Sequence, residues 1–571
     1  MERRRILDAR HSSVSLALAG SGGAGVMTAG NILLEAAAGA GYYALMTRTS
    51  GPQIRGGEAA AMLRISTYAT DGQDDRFQIL AAIDWQNVQR FASELPLGGE
   101  SLILGDPAQG EPPDVFTKSG ARYVPLPLKA LAAKVNGGWP NMVALGALAG
   151  LVGLPAEAVE TALRKSMKKG LDSAIAAARL GRQQLPDIES FRIESTKPRS
   201  GRWLITGNEA AGYGALRGGV RFVAAYPITP ATELLEWLSP ALAKVGGTLV
   251  QAEDELASIN MALGASFGGV PALTATSGPG LSLMIESLGL GVAAEVPLVV
   301  VDVMRTGPST GIATKSEQAD LDIALHGLHG DAPHIVVAPN SIADCVAATE
   351  WAVGLAESLQ VPAIVLSDQY FGQARAVVDV PHMNAEEKQK PRQIAVPDAN
   401  GYRRYAVTPS GISPMAIPGT AGTEYTADGL EHNERGLPSA QAGDHLAQMD
   451  KRARKIAQLD PGEAWASIEG EGETAVLTFG SCTGPVREAL AREGCRAKLI
   501  SMRLLSPAQP ERLRKALQGV KRVLVVEQNH SGQFLRYLRS QYELPAEVRS
   551  LRRPGPLPFR PEEIHREVVK P

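Results

Sequence analysis

The chain has 571 residues, a length that predicts three or four domains. Its 44% hydrophobic residues, 60 glycines and 38 prolines are typical of α/β layers joined by tight turns. The net charge of −3, without a long basic block, argues against nucleic acid as a partner, because neutralising phosphates requires clustered Lys and Arg.

Three scattered cysteines, Cys345, Cys482 and Cys495, form no Cys-x-x-Cys motif. The chain therefore lacks the ligands for an iron–sulfur cluster or a Cys-rich zinc site of its own. Thiols without a pairing pattern fit a reducing cytosol, so we expect a cytoplasmic protein. Its first residues lead into no apolar signal core, and Glu295 and Asp302 interrupt the longest apolar stretch, so no membrane partner is expected.

Strand and helix patterns predict four parts and an α/β fold with several doubly wound domains. Residues 1–195 alternate strands and helices, which predicts a parallel sheet. Residues 202–381 contain fully apolar strands, which indicates a sheet buried on both faces. The pattern fades over residues 382–470, an irregular segment or linker, and residues 471–571 form a last α/β unit. The strands expected in the second part are 221–226, 248–251, 272–276, 297–304, 334–338 and 362–367.

A glycine cluster follows the first predicted strand and includes Gly22, Gly23 and Gly25. Such a turn can present backbone N–H groups and a helix N-terminus to a phosphate, or it can simply pack a helix on a strand. The second strand ends without the carboxylate that a ribose requires, so NAD is disfavoured while NADP or another phosphate-bearing ligand stays open. A second glycine-rich stretch holds Arg55, which either faces a ligand or is solvated.

A proline-framed motif, Tyr226-Pro227-Ile228-Thr229-Pro230, ends the first apolar strand of the second part. Its prolines force an extended exit from the strand and hold the Thr229 hydroxyl at the carboxyl edge of the sheet. Ligands of open α/β sheets bind at that edge, although prolines also simply terminate strands.

Three carboxylates, Glu253, Asp254 and Glu255, stand at the start of a helix that follows another strand. Carboxylates at this position are commonly N-terminal caps that the helix dipole favours, and capping accounts for at least two of the three. The third, Glu255, is a candidate for a catalytic or ligand-binding role.

Arg305 follows a fourth apolar strand and opens a loop containing Ser309, Thr310 and Thr314. Its planar guanidinium suits a substrate carboxylate, and the hydroxyls suit neighbouring oxygens. The alternative is a structural salt bridge, but the Gly-Pro-Ser-Thr-Gly sequence within the loop favours a ligand.

Taken in order, these motifs resemble the α subunit of 2-oxoacid:ferredoxin oxidoreductases, with Thr276-Ser277-Gly278-Pro279-Gly280 as a further match. Residues 1–195 resemble the family's γ subunit, so the chain resembles a γ–α fusion. Residues 202–381 resemble a pyrimidine-binding domain for thiamine diphosphate, and residues 471–571 a transketolase C-terminal-like domain. The resemblance implies CoA-dependent oxidative decarboxylation of a 2-oxo acid, with electrons passed to ferredoxin, or the reverse reaction.

The resemblance also implies roles for individual residues. Glu255 would hydrogen-bond N1′ of thiamine diphosphate, and Tyr226 to Thr229 would line the cofactor and substrate. Arg305 would bind the substrate carboxylate together with Thr314, Ser309 and Thr310. Coenzyme A would contact Gly22, Gly23, Gly25 and Arg55 in the γ-like part.

A partner subunit is implied by what the chain lacks. The family's diphosphate and Mg²⁺ motif, Gly-Asp-Gly followed by Asn, is absent, as are cluster cysteines. A β subunit would therefore supply Mg²⁺, the diphosphate site and a [4Fe-4S] cluster, in an αβ or (αβ)₂ assembly that shares the cofactor. No metal site is expected on this chain.

The substrate is less determined than the reaction, because Arg305 suits any 2-oxo acid. Fused γ–α chains of this pattern resemble the 2-oxoglutarate (2-oxoglutarate synthase) type, which we favour over pyruvate or branched-chain oxo acids. Arg403 and Arg404 are candidates for a second substrate carboxylate. Two other classes stay open: an NADP-binding reductase and a non-catalytic scaffold.

Overall fold

The computed structural model describes residues 11–51, 57–184, 191–381, 391–397 and 401–570. The strands are β1 Ser13–Gly20, β2 Tyr43–Ser50, β3 Ala59–Ser66, β4 Ile79–Ala82, β5 Leu102–Gly105, β6 Arg122–Pro125, β7 Arg202–Thr206, β8 Phe222–Ala225, β9 Thr248–Gln251, β10 Ala272–Thr276, β11 Leu298–Met304, β12 Ile335–Val337, β13 Pro362–Asp368, β14 Arg375–Asp379, β15 Ala466–Glu469, β16 Thr474–Thr478, β17 Ala497–Met502, β18 Leu504–Ser506, β19 Arg522–Glu527 and β20 Glu547–Arg552.

Helices alternate with the strands along the chain, which confirms the α/β class. They are α1 Val26–Gly39, α2 Asp114–Thr117, α3 Leu128–Ala132, α4 Pro140–Leu151, α5 Ala156–Ser166, α6 Leu171–Gln183, α7 Gly207–Arg217, α8 Thr232–Lys244, α9 Glu255–Phe267, α10 Gly278–Ala293, α11 Leu321–His326, α12 Asp344–Leu359, α13 Gln369–Gln373, α14 Ala442–Ala457, α15 Thr483–Leu490, α16 Pro510–Ala516, α17 Gln533–Gln541 and α18 Pro561–Val569. In the described ranges, none of these helices has the length and apolar character that crossing a membrane requires.

Two compact units make up the chain. The first comprises Met1–Thr206, Gln373–Val380 and Phe559–Glu563, and the second comprises Gly207–Gly372, Pro381–Pro558 and Ile564–Pro571. The boundaries predicted at 195, 381 and 470 stay a prediction. However, β7 and β14, which lie within residues 202–381, pair into the sheet of the first unit.

The first unit is built on an eight-stranded mixed sheet in the order β6-β5-β4-β1-β3-β2-β14-β7. The prediction of a parallel sheet was wrong here, because β3 pairs antiparallel with both β1 and β2. Only residues 51–58 connect β2 to β3. That connection is too short for the crossover that a parallel pair needs.

The second unit contains a seven-stranded sheet in the order β18-β12-β13-β11-β10-β8-β9. Its strands are parallel except β18, which pairs antiparallel with β12. In the sheet, β9 lies on one side of β8 and β10 lies on the other, so the strand order reverses at β8. This reversal opens a crevice at the carboxyl ends of β8 and β10, where ligands of doubly wound sheets bind.

A five-stranded sheet, in the order β15-β17-β16-β19-β20, completes the second unit. The Glu527 carboxylate at the end of β19 is fully buried and accepts hydrogen bonds from the backbone N–H groups of Phe534 and Leu535, at 2.7 and 3.1 Å. Gln318 N donates to Gln528 O at 2.8 Å. Residues 526–529 thus have a structural role, because they cap α17 and join β19 to the loop that follows β11.

Candidate functional site

The proline-framed motif leaves β8 at the crevice, as predicted. Tyr226 is 40% exposed, whereas Thr229 is half-buried. The Thr229–Pro230 peptide is cis. Asn208, a buried residue of α7, donates its amide to Pro230 O at 2.8 Å and holds the motif against the sheet.

Glu255 differs from the two carboxylates that precede it. Glu253 and Asp254 are exposed, and Asp254 caps α9 by accepting from Ala257 N at 2.7 Å. Glu255 is the first residue of α9 and is only 7% exposed. Among the described residues its carboxyl has no ion-pair or hydrogen-bond partner, so capping explains Asp254 but leaves Glu255 available to a ligand.

The first turn of α10 is shaped around this carboxyl. A β-carbon on Gly280 would lie 2.8 Å from Glu255 Oε1 and 2.7 Å from its Cγ, closer than side-chain contacts allow. Glycine at position 280 therefore leaves room for the Glu255 side chain, and the helix dipole at this end favours negative charge. The sequence motif predicted a site here, but it did not indicate that Gly280 and Glu255 touch.

Arg305 is the second charged group of the crevice and is only 7% exposed. Its Nη1 donates to Thr229 O at 2.6 Å, so the structure brings together two residues that the sequence separates by 76 positions. Its Nε is buried without a partner in the described structure. Burial lowers the pKa of Arg305, and the charge of the Asp320 carboxyl raises it by a smaller amount.

The loop after Arg305 is closed by backbone bonds. Thr306 N donates to Lys315 O at 2.9 Å, and Ile312 N donates to Thr306 O at 3.0 Å. Ser309 and Thr310 lie exposed at its tip, and Thr314 is half-buried near its end. In the described residues no hydrogen bond joins these three hydroxyls to Arg305, so their role in substrate binding stays a prediction.

Comparison with known proteins covers nearly the whole chain. Residues 15–184 match a family described as pyruvate ferredoxin/flavodoxin oxidoreductase, and residues 213–451 match the thiamine-diphosphate-binding domain of pyruvate flavodoxin/ferredoxin oxidoreductases. The 2-oxoacid:ferredoxin oxidoreductase subunit α of a Sulfolobus species is 31% identical over 91% of this chain and 91% of its own length. The chain belongs to the 2-oxoacid:ferredoxin oxidoreductases.

Two further members of this oxidoreductase family are close to the chain. The 2-oxoglutarate oxidoreductase subunit KorA of Mycobacterium tuberculosis is 32% identical over 98% of this chain and 91% of its own length. A solved 2-oxoglutarate:ferredoxin oxidoreductase from Magnetococcus marinus, with 2-oxoglutarate, coenzyme A and succinyl-CoA bound, is 34% identical. It aligns with a TM-score of 0.89 over 98% of this chain and 99% of that chain, which confirms the resemblance and the fold.

The crevice of this oxidoreductase subunit fits the pyrimidine end of thiamine diphosphate, the cofactor of the family. Glu255 offers a nearly buried carboxyl without a partner in the described structure, and the lack of a side chain at Gly280 leaves room for that carboxyl. The Tyr226–Pro230 motif frames the same edge of the sheet. A heterocycle with a basic nitrogen suits this donor set, because a nearly buried carboxyl binds such a nitrogen strongly.

In the first unit of the oxidoreductase chain, the glycine turn follows β1. Gly22 and Gly23 are exposed, and Gly25 precedes α1 with φ 79°. Asp84, which the sequence analysis overlooked, accepts from Ser21 N at 3.0 Å and from Ser21 Oγ at 2.7 Å. Ala24 N also donates to Ser21 O at 3.1 Å, so two N–H groups of the turn are already used, and a carboxylate lies at its base. Arg55 lies outside the described residues.

Of the two arginines proposed for a second substrate carboxylate, Arg404 is engaged in structural contacts, whereas the role of Arg403 stays a prediction. Arg404 is fully buried and donates to Glu295 O at 2.7 Å, so its guanidinium is taken up by structure. Arg403 is 51% exposed and lies 4.0 Å from Glu434. Sequence alone gave no sign of this, because the partner of Arg404 lies 109 positions earlier in the chain.

Proposed function

We propose that this chain is the fused γ–α subunit of a 2-oxoglutarate:ferredoxin oxidoreductase. With a β subunit it would convert 2-oxoglutarate and coenzyme A to succinyl-CoA and CO₂, with electrons to ferredoxin, or run the reverse reaction. The observation that carries the proposal is Glu255: a nearly buried carboxyl with no partner in the described residues, facing Gly280 at the crevice. The substrate is inferred from the M. tuberculosis and M. marinus relatives.

Thiamine diphosphate, when bound, supplies a nucleophilic carbon and an electron sink for the loss of CO₂. Glu255 holds the proton at N1′ of its pyrimidine, and the hydrogen bond is strong because water is largely excluded from the carboxyl. Arg305, positioned by Thr229 O, pairs with the C1 carboxylate of the substrate. Its buried Nε retains an unused donor for the same ligand.

A β subunit is part of the proposal. The chain has no Gly-Asp-Gly motif and no cysteine cluster, so Mg²⁺, the diphosphate site and a [4Fe-4S] cluster would lie on the partner. The cofactor would then bind between subunits, with ferredoxin as electron acceptor and (αβ)₂ as the assembly. The glycine turn of the first unit stays our candidate for coenzyme A, and the cytoplasm stays the proposed location.

The test is Glu255→Gln in the chain co-expressed with its β subunit. We expect viologen reduction with 2-oxoglutarate and coenzyme A to fall by about 10²-fold or more, since the amide cannot take part in proton sharing. Glu253→Gln, an exposed neighbour, is the matched control and should keep full activity.

A panel of pyruvate, branched-chain oxo acids and 2-oxoglutarate identifies the substrate in the same assay. The highest kcat/KM with pyruvate or a branched-chain oxo acid would replace 2-oxoglutarate in the proposal. Full activity of Glu255→Gln would refute the role of this carboxyl.

A further inference from the structure

A pair of acidic residues lies behind Arg305 and has no part in the roles assigned so far. Asp302 is in β11 and is completely buried, and neither of its oxygens has a donor in the described structure. Asp320 immediately precedes α11, and its Oδ2 is also buried without a partner. Two such carboxyls satisfy each other only when a proton lies between them, because a carboxylate can only accept.

Glu295, a buried carboxylate of the same unit, shows that this arrangement is unusual. It receives bonds from Lys451 Nζ at 2.5 Å and Lys455 Nζ at 3.0 Å, so its charge is fully compensated. Within the described ranges, Asp302 has no such cation. A buried carboxyl without a cation keeps its proton, since an unpaired charge in the interior is very unfavourable.

The pair lies directly beside the proposed site. Asp302 precedes Arg305 by three positions and is in register with Thr276 of β10, the residue before the Ser277 cap of α10. A β-carbon on Gly278 would lie 2.6 Å from Asp320 Oδ1, so Asp320 sits against the first residue of α10. Two positions further along α10, Gly280 makes the corresponding approach to Glu255.

The electrostatics follow from this placement. Burial raises the pKa of Asp302 well above its ordinary range, and the Asp320 carboxyl raises it further. Burial also raises the pKa of Asp320 to about 7, while the bond from Asp302 and the charge of Arg305 oppose the rise and Glu317 adds to it. Arg305 and Glu317 are thus the other charged groups that face the pair, and Asp302 acts as a neutral donor to an Asp320 that ionises near neutrality.

We propose that binding of the substrate carboxylate at Arg305 is coupled to uptake of one proton by the Asp302–Asp320 pair. In the free enzyme above about pH 7 the Asp320 carboxylate partly balances the Arg305 charge. The arriving substrate carboxylate takes over that role, and Asp320 takes a proton from solvent, which it releases when the carboxylate leaves as CO₂ or the substrate dissociates. This inference rests on the proposed function, and it makes Asp302 and Asp320 positioning residues that act through Arg305.

The proposed coupling predicts that kcat/KM falls as the pH rises above about 7. Below about pH 7 Asp320 already carries its proton, so binding needs no uptake from solvent. Above pH 7 each binding event must bring a proton, and kcat/KM falls by about tenfold per pH unit until the bound-state pKa is reached. Asp320→Asn removes the titrating group and keeps its size, so this fall should disappear.

The experiment measures kcat/KM for 2-oxoglutarate between pH 6.5 and 8.5, with the αβ complex, saturating coenzyme A and methyl viologen. We expect Asp320→Asn to exceed the wild type by about tenfold at pH 8.5 and to lie within about threefold of it at pH 6.5. Asp302→Asn is the matched control: it keeps Asp320 as a titrating carboxyl beside a neutral donor and should retain the alkaline fall.

Two results would overturn the proton coupling. The coupling is overturned, with the proposed function intact, if Asp320→Asn keeps the alkaline fall. It is also overturned if the wild type varies by less than threefold over this range, a result that needs no variant to assemble. A wild-type complex that is inactive with every oxo acid would instead refute the proposed function.

Discussion

At the scale of single residues, the crevice is defined by close approaches that only small residues permit. Gly280 and Glu255 belong to different helices, yet a β-carbon at position 280 would collide with the Glu255 side chain. Protein interiors are packed too tightly to absorb such an overlap without moving a neighbour. The position of the Glu255 carboxyl therefore depends on a residue that has no chemistry of its own.

Gly280→Ala should displace the Glu255 carboxyl and reduce oxo acid–dependent viologen reduction by about tenfold or more, since small misplacements of a catalytic group are costly. Gly289→Ala on the same helix is the control, because a β-carbon there would be 4.0 Å from its nearest neighbour, His329 Nε2. Equal activity of both variants would show that the carboxyl tolerates displacement.

At the scale of elements, a buried ionic cluster attaches α14 and the loop before it to the second unit. Lys451 and Lys455 of α14 both donate to the Glu295 carboxylate, and Ser413 Oγ accepts from Lys451 Nζ at 3.0 Å. Burial alone would raise the pKa of Glu295, but Lys455, Lys451 and Arg404 lower it to about 2. The predicted irregular segment is thus partly helical, and buried ion pairs attach its helix α14 to Glu295.

Lys451→Met should lower the free energy of unfolding by about 3–5 kcal/mol, because it removes one partner of a buried pair. Arg403→Met, at an exposed pair, should change it by about 1 kcal/mol or less. Urea denaturation of both variants checks this. Because the folded pKa of Glu295 is depressed, its contribution is present above the unfolded value of about 4.3 and is lost as the pH falls toward 2. Similar unfolding midpoints for the two variants would contradict the importance of the cluster.

At the scale of the whole molecule, the sequence contains some of the motifs of its family and not others. Oxidative decarboxylation transfers two electrons, yet the sequence contains three scattered cysteines and no motif for an iron–sulfur cluster. The crevice presents groups for a heterocycle and a carboxylate, whereas the family's diphosphate motif is missing. This is why we propose that a second polypeptide completes the catalytic centre.

The purified chain alone should show no oxo acid–dependent viologen reduction, and addition of the β subunit with thiamine diphosphate and Mg²⁺ should restore it. Size-exclusion chromatography with light scattering would show whether activity elutes with an αβ or an (αβ)₂ mass. Turnover by the isolated chain would contradict the division of the cofactor site between subunits.

Sequence patterns by themselves determined most elements of the second unit and placed the candidate site residues at strand ends. Fully apolar runs identify strands buried on both faces, and residues after such strands must lie at one edge of a parallel sheet. The positions of Thr229, Glu255 and Arg305 follow from that rule. Local sequence sufficed because each strand end is specified within a few residues.

Only the tertiary structure decided which groups are paired and which are left without a partner. In the sequence, Asp302 was only a charge that interrupts an apolar run. Arg404 was a candidate for binding a second substrate carboxylate. Their roles depend on Asp320 and Glu295, which lie 18 and 109 positions away along the chain. Burial and hydrogen bonding between distant segments set the charge of a side chain, and no local pattern records them.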